Sequence, residues 1–89
     1  MKHMPEISRF YGIIIRMFFD DHNPPHFHVI YGEYKAEYDI RTLEVLVGEL
    51  PNRANQFVLE WASLHKEELM INWNNLQNEI PANKIQPLE

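Results

Sequence analysis

Ten residues, Asp20–Val29 (DDHNPPHFHV), bring three imidazoles and two carboxylates around a Pro-Pro pair. Side chains of these types can serve three kinds of chemistry. Two histidines joined by a carboxylate or a third histidine can hold a divalent ion such as zinc and leave a coordination position open. Histidines paired with acids near an arginine can act as general acid and base on a phosphodiester. His–Glu and His–Asp pairs across a sheet can also be purely structural, stabilising it by about 0.2–1 kcal/mol each and keeping its surface soluble. Spacing leaves all three open. The direction in which the backbone aims each ring separates them, so the elements come next.

Tyr11–Phe19 (YGIIIRMFF) reads as a first strand, with Ile13, Ile15, Met17 and Phe19 on one face and Ile14, Arg16, Phe18 and Asp20 on the other. Pro24 and Pro25 stiffen the loop that follows, because neither can donate to a ladder. His26–Tyr31 is a second strand and Tyr34–Ile40 a third. The third places Tyr34, Ala36, Tyr38 and Ile40 inward, with Lys35, Glu37 and Asp39 outward. Glycine first in the intervening Gly32-Glu33 suits a two-residue type II′ turn. A fourth strand, near Glu44–Gly48, follows a turn around Arg41–Leu43.

Pro51 then opens a helix, where its missing N–H costs nothing. Ala54, Phe57, Val58, Trp61, Leu64, Leu69, Trp73 and Leu76 keep helical spacing, with drift around His65–Glu68 where the helix bends or breaks. Its stop falls near Asn78, ahead of Pro81. The expected fold is α+β, in the order ββββα. A four-stranded, mostly antiparallel sheet carries one long C-terminal helix on one face, and the tail Ile80–Leu88 lies along the surface. Trp61 and Trp73 are expected in the core, His65 packed at its edge, and HKEEL on a solvated helix face.

With Gly32-Glu33 as the turn, Tyr31 faces Tyr34, Val29 faces Ala36 and Phe27 faces Tyr38. The opposite face then pairs Ile30 with Lys35, His28 with Glu37 and His26 with Asp39, whereas a three-residue loop would mix apolar and charged partners. The first strand keeps the same parity if Phe19 lies beside Phe27 and Met17 beside Val29, which sets Phe18 near His28 and Asp20 near His26. A polar cluster of Arg16, Asp20, His26, His28, Glu37 and Asp39 is therefore expected on the face away from the helix. On one reading His26 and His28 are the acid–base pair and Arg9 or Arg16 holds phosphate. On another, His22, His26 and His28, or the two strand histidines with a carboxylate, bind zinc. A third leaves the sheet face structural and uses an exposed edge strand as a docking rail. Whether the protein is an enzyme stays open on these grounds.

Composition narrows the field. The chain has 89 residues, 45% of them apolar, and no cysteine. That is enough for one domain, expected over residues 4–88, and it rules out disulfides, thiolate ligands and cysteine nucleophiles. MKH and the final LE read as cloning remnants, so His3 is given no role. Absence of cysteine fits a reducing cytoplasm. No apolar run approaches the ~20 residues of a membrane span, and no signal-peptide apolar region is present. A net charge of −5 disfavours non-specific nucleic-acid binding, although eight Lys and Arg are scattered along the chain.

The segments ISRFYGIIIRMFFDDHNPPHFHV, YGEYKAEYDI, GELPNRA and LEWASLHKEELMINW resemble, in order, the bacterial family known as domain of unknown function 4160. RFYG and HNPPHFHV are the most specific parts, and the Asn-rich NWNNLQNEI departs from the more charged helix end usual there. The resemblance implies a small intracellular prokaryotic protein, often encoded beside a second small protein and grouped with type II toxin–antitoxin pairs. It implies a cognate protein partner; a toxin more than an antitoxin role is the leading reading built on it, with RNA as a candidate target of the His/Arg/carboxylate face. It places Arg9, Phe10, Tyr11 and Gly12, and His22, Pro24, Pro25, His26, Phe27 and His28, at motif positions. It brings no catalytic assignment. Arg9 and Tyr11 thus join Arg16, Asp20, Glu37 and Asp39 as candidate binding residues.

Overall fold

Strict alternation of apolar and polar residues governs the centre of the sheet. In the computed structural model, which describes residues 6–89, β3 (His26–Tyr31) pairs antiparallel with β4 (Tyr34–Asp39) in the expected register. Phe27 faces Tyr38 and Val29 faces Ala36, all four buried, while His28 faces Glu37 and His26 faces Asp39. Gly32 alone in the turn has a positive φ, +58°, the sign pattern of a type II′ turn. Tyr34 does not reach the core as expected. At the strand's end it is 40% exposed.

The strand expected over Tyr11–Phe19 is shorter, and a further strand, not expected, precedes it. β1 (Glu6–Phe10) and β2 (Ile13–Arg16) form a hairpin around Tyr11 and Gly12, whose φ values of +52° and +79° are those of a type I′ turn. With β5 (Val45–Gly48) on β4, the described residues form a five-stranded antiparallel sheet in the order β1-β2-β3-β4-β5, not a four-stranded one. Ile13, Ile15 and Met17 are fully buried, so the expected parity holds. The register against β3 is displaced by two residues: Ile15, not Met17, faces Val29, and Arg16 faces His28. Because β2 ends at Arg16, Phe18–Asp21 belong to a loop and not to the sheet. The expectation that residues 1–3 are a cloning remnant lies outside the described residues.

The single long helix expected is two, α1 (Asn52–Leu64) and α2 (Lys66–Gln77), broken at His65, inside the stretch where the helical spacing drifts. Their 13 and 12 residues with His65 would make an unbroken rod of roughly 39 Å, longer than the 34 Å longest dimension of the fold. A break lets both halves stay on the sheet. α1 buries Ala54, Val58, Trp61 and Ala62, and α2 buries Leu69, Asn72, Trp73 and Leu76. Leu64, expected in the stripe, is 68% exposed. His65 packs on Trp61 and bonds Glu68, as a core-edge residue should. Tyr38 ties the sheet to α1 by donating its hydroxyl to Asn55, and burial pushes its phenol up to about 12.

The tail is held more firmly than a surface strap. Ile85 is buried and its N–H bonds Ile7 O at 2.8 Å. Trp61 Nε1 donates to Gln86 O at 2.8 Å. Buried Asn72 donates to Asn83 O at 2.9 Å and accepts from Asn83 N at 2.8 Å, mimicking a strand neighbour. Asn72→Ala strands both backbone groups and is expected to cost about 1–3 kcal/mol. Urea denaturation checks this: an unchanged midpoint would show that the clamp carries no stability.

Candidate functional site

Parity sends the His26 and His28 side chains away from Phe27 and Val29. The loop Met17–Pro25 then decides what meets them. It folds back so that Asp21, not Asp20, reaches both rings. Phe18 N and the His28 ring share Asp21 Oδ2, at 3.4 and 3.0 Å. Gln77, at the end of α2, donates to Asp21 O at 3.1 Å and holds the loop against the helix. Glu37 comes from β4, with its carboxylate oxygens 3.7 Å from His26 Nε2 and from His28 Nδ1. Asp21, His26 and His28 each offer one ligand atom within 4.8 Å of the others.

The two rings differ in setting. His28 is part-buried, its ring edge-on to Phe18 with centroids 4.7 Å apart. His26 is only 7% exposed, with its ring 5.4 Å from that of Trp73 on α2. An open sheet face displaying both histidines is therefore half right, because α2 closes over His26. His26 Nδ1 lies 2.8 Å from Pro24 O, and a carbonyl can only accept, so Nδ1 carries the proton. Nε2 of the same ring then faces Asp21 Oδ2 and Glu37 Oε1, each 3.7 Å away. A neutral ring would turn a lone pair toward two carboxylates. With Nδ1 committed to Pro24 O, Nε2 is the ring atom left to take a further partner.

The other expected residues are dispersed. His22 is exposed in the loop and stands outside the three-ligand group. Asp20 is exposed and has its own contacts. Asp39 faces His26 in the ladder, but its Oδ1 accepts from Arg41 N and Thr42 N at 2.7 and 3.0 Å, capping the turn into β5. Arg9 is held by Glu6 through two bonds of 2.8 and 2.9 Å, which keeps the Glu6 carboxyl below its ordinary range. Tyr11 stacks near Phe57 at the end of the sheet opposite His26. Arg16 does lie beside His28 on the open face, as expected. Residue parity could not find Asp21 or Trp73, since one lies in a loop and the other on a distant helix. The doubled aspartate before a proline turn was the available signal for Asp21.

Burial works against ionisation of Asp21, but the His28 hydrogen bond and the charges of His28 and His26 outweigh it and hold the carboxyl below the ordinary 3.8. A carboxyl lowered on folding contributes stability that is complete above its unfolded value and lost as pH falls through the folded one. Between about pH 5 and pH 3, the wild type should lose more stability than Asp21→Asn. Urea midpoints across that range check it, and parallel curves would refute the coupling.

Comparison with known proteins adds one finding to this geometry. No curated protein and no solved structure matches the chain. A family model described as Domain of unknown function (DUF4160) matches residues 12–74. That span runs from the β1–β2 turn glycine to just beyond Trp73 and includes Asp21, His26, His28 and Glu37. On a match covering well over half of its length, the chain belongs to the DUF4160 family.

Proposed function

We propose that this protein binds a divalent first-row ion, zinc by preference, through Asp21, His26 and His28. The observation that carries the reading is the convergence of imidazole and carboxylate acceptors around His26 Nε2, with the other nitrogen of that ring committed to Pro24 O. A backbone carbonyl on the far nitrogen is how metal-binding histidines are commonly oriented. Two nitrogens and one oxygen suit zinc or its neighbours and leave positions open, where a bound ion acts as a Lewis acid. Glu37 is the nearest further carboxylate. Metal ligands bind in their deprotonated form, so affinity falls as pH drops.

Calorimetric titration of chelator-treated protein with zinc at neutral pH should show one site. His28→Ala and Asp21→Asn should weaken it at least about tenfold. His22→Ala should leave it unchanged. A flat wild-type titration, or binding that survives His28→Ala, would remove the proposal.

A second reading makes the protein the toxin of a type II toxin–antitoxin-like pair that acts through a protein partner and RNA. It is supported by the exposed edge strand β5, with Val45, Leu46 and Val47 all open, and by Arg16, His28 and Glu37 sharing a sheet face. RNA cleavage by His26 with His28 has weaker support, since His26 is almost wholly covered. Controlled expression should then arrest growth, the neighbouring gene product should relieve the arrest, and His28→Ala should abolish it. Normal growth on expression of the wild type would count against this reading.

A further inference from the structure

On the sheet face away from α1, a groove of about 390 Å³ crosses β2, β3, β4 and β5. Its charged lining is unequal. Arg16 and Lys35 supply two cations, and Glu37 supplies the one carboxylate. Glu37 is already turned toward the two imidazoles, 3.7 Å from each. Arg16 is in the opposite position. Its charge helps to lower the carboxyl of Glu6, its ladder neighbour on β1, but both Glu6 oxygens are hydrogen-bonded by Arg9 and Arg16 forms no hydrogen bond there. Arg16 Nε is buried and has no hydrogen-bond partner among the described residues. Since Nε lies beneath the accessible surface, an anion in the groove would meet the terminal nitrogens of Arg16, whose planar fork suits carboxylate and phosphate oxygens.

The remaining walls are apolar. Phe18 stands at one end against His28, while Ile30 and Val47 lie along the floor and far side. Val47 is 57% exposed, a cost in water that a ligand's apolar body would offset. The volume falls in the range of small-molecule sites, where apolar walls supply area and a few polar groups set orientation.

We infer that this groove binds an amphipathic organic anion, with a carboxylate or phosphate-monoester headgroup on Arg16 and Lys35 and an apolar body against Phe18, Ile30 and Val47. The site borders the histidine cluster through His28 and Glu37 but does not require a metal ion.

Proton–nitrogen NMR of the chelator-treated protein tests it, so the outcome is independent of the zinc titration. The probes are phenyl phosphate, benzoate, inorganic phosphate and benzylamine. At least one aryl anion should shift the Arg16 Nε–H signal and the Ile30 and Val47 amides saturably, with at least tenfold higher affinity than inorganic phosphate. The stronger of the two aryl anions identifies the headgroup. Arg16→Gln should abolish the shifts, and Lys35→Gln, at an exposed position that leaves the fold intact, should weaken binding several-fold. Equal binding of benzylamine, equal binding of inorganic phosphate (an adventitious ion only), or affinities untouched by Lys35→Gln would overturn the inference.

Discussion

Phe27 and Val29 lie against the core with no measurable exposure, and their burial aims every polar side chain of β3. Side chains alternate with a period of two, so slipping this strand by one residue would drive His28 and Ile30 under the helices and expose two core residues. The same parity passes through the ladders. It carries Arg16 beside His28 on one side and Glu37 beside it on the other, giving a row Arg16–His28–Glu37 across the middle of the sheet. The hydrophobic effect, acting on one face, thus organises charges on the other. Removing that constraint would leave no reason for an arginine, an imidazole and a carboxylate to meet.

What could be read in advance follows the reach of this alternation. The β3–β4 hairpin was legible to the residue because both strands alternate cleanly and a glycine marks the turn. The β1–β2 hairpin was hidden because an aromatic residue at positive φ is an unusual opener for a type I′ turn, so Tyr11 reads as the start of YGIIIRMFF and not as the turn after ISRF. The later errors come from the other end of that strand, where β2 stops at Arg16. Continuing the strand past Arg16 counted parity through Phe18–Asp21, chose Asp20, and passed over the residue that the loop delivers. Phe18 was still placed near His28, because the loop folds back over the same end of the sheet. The helix break was visible as lost phase but not as a break. An unbroken helix of that length would exceed the longest dimension of the fold, a constraint that a local pattern does not contain.

The two sheet edges are treated differently. β1 is covered by the chain's own tail, through Ile85 N–H on Ile7 O and the Asn72 clamp behind it. β5 has no such cover among the described residues and exposes Val45, Leu46 and Val47. It is blunted instead by brevity and by the register shift opposite Glu37 and Tyr38, both of which limit indefinite strand addition. Gly48 completes this device: a Cβ there would fall 2.1 Å from Lys35 O, so only glycine allows β5 to approach β4 so closely. An edge protected against open-ended pairing yet left apolar can take one defined neighbour.

Three separately folded pieces converge on Asp21, His26 and His28, and this gives the cluster its rigidity. β3 supplies the rings, the loop supplies the acid through its own Phe18 contact, and α2 supplies Trp73 against His26 and Gln77 on the Asp21 carbonyl. Holding carboxylates and imidazoles together under an indole is costly unless positive charge is present, because low local polarity strengthens repulsion between acceptors as much as attraction. Among the described residues the one ion pair of β1, Arg9 with Glu6, lies within a single strand at the wet surface. Here the acids are brought in from a loop and a neighbouring strand, and one ring is fixed by a backbone carbonyl. The same parity sets Arg16, whose Nε has no hydrogen-bond partner among the described residues, one strand away on β2, so positive charge stands beside these acids without being spent on them.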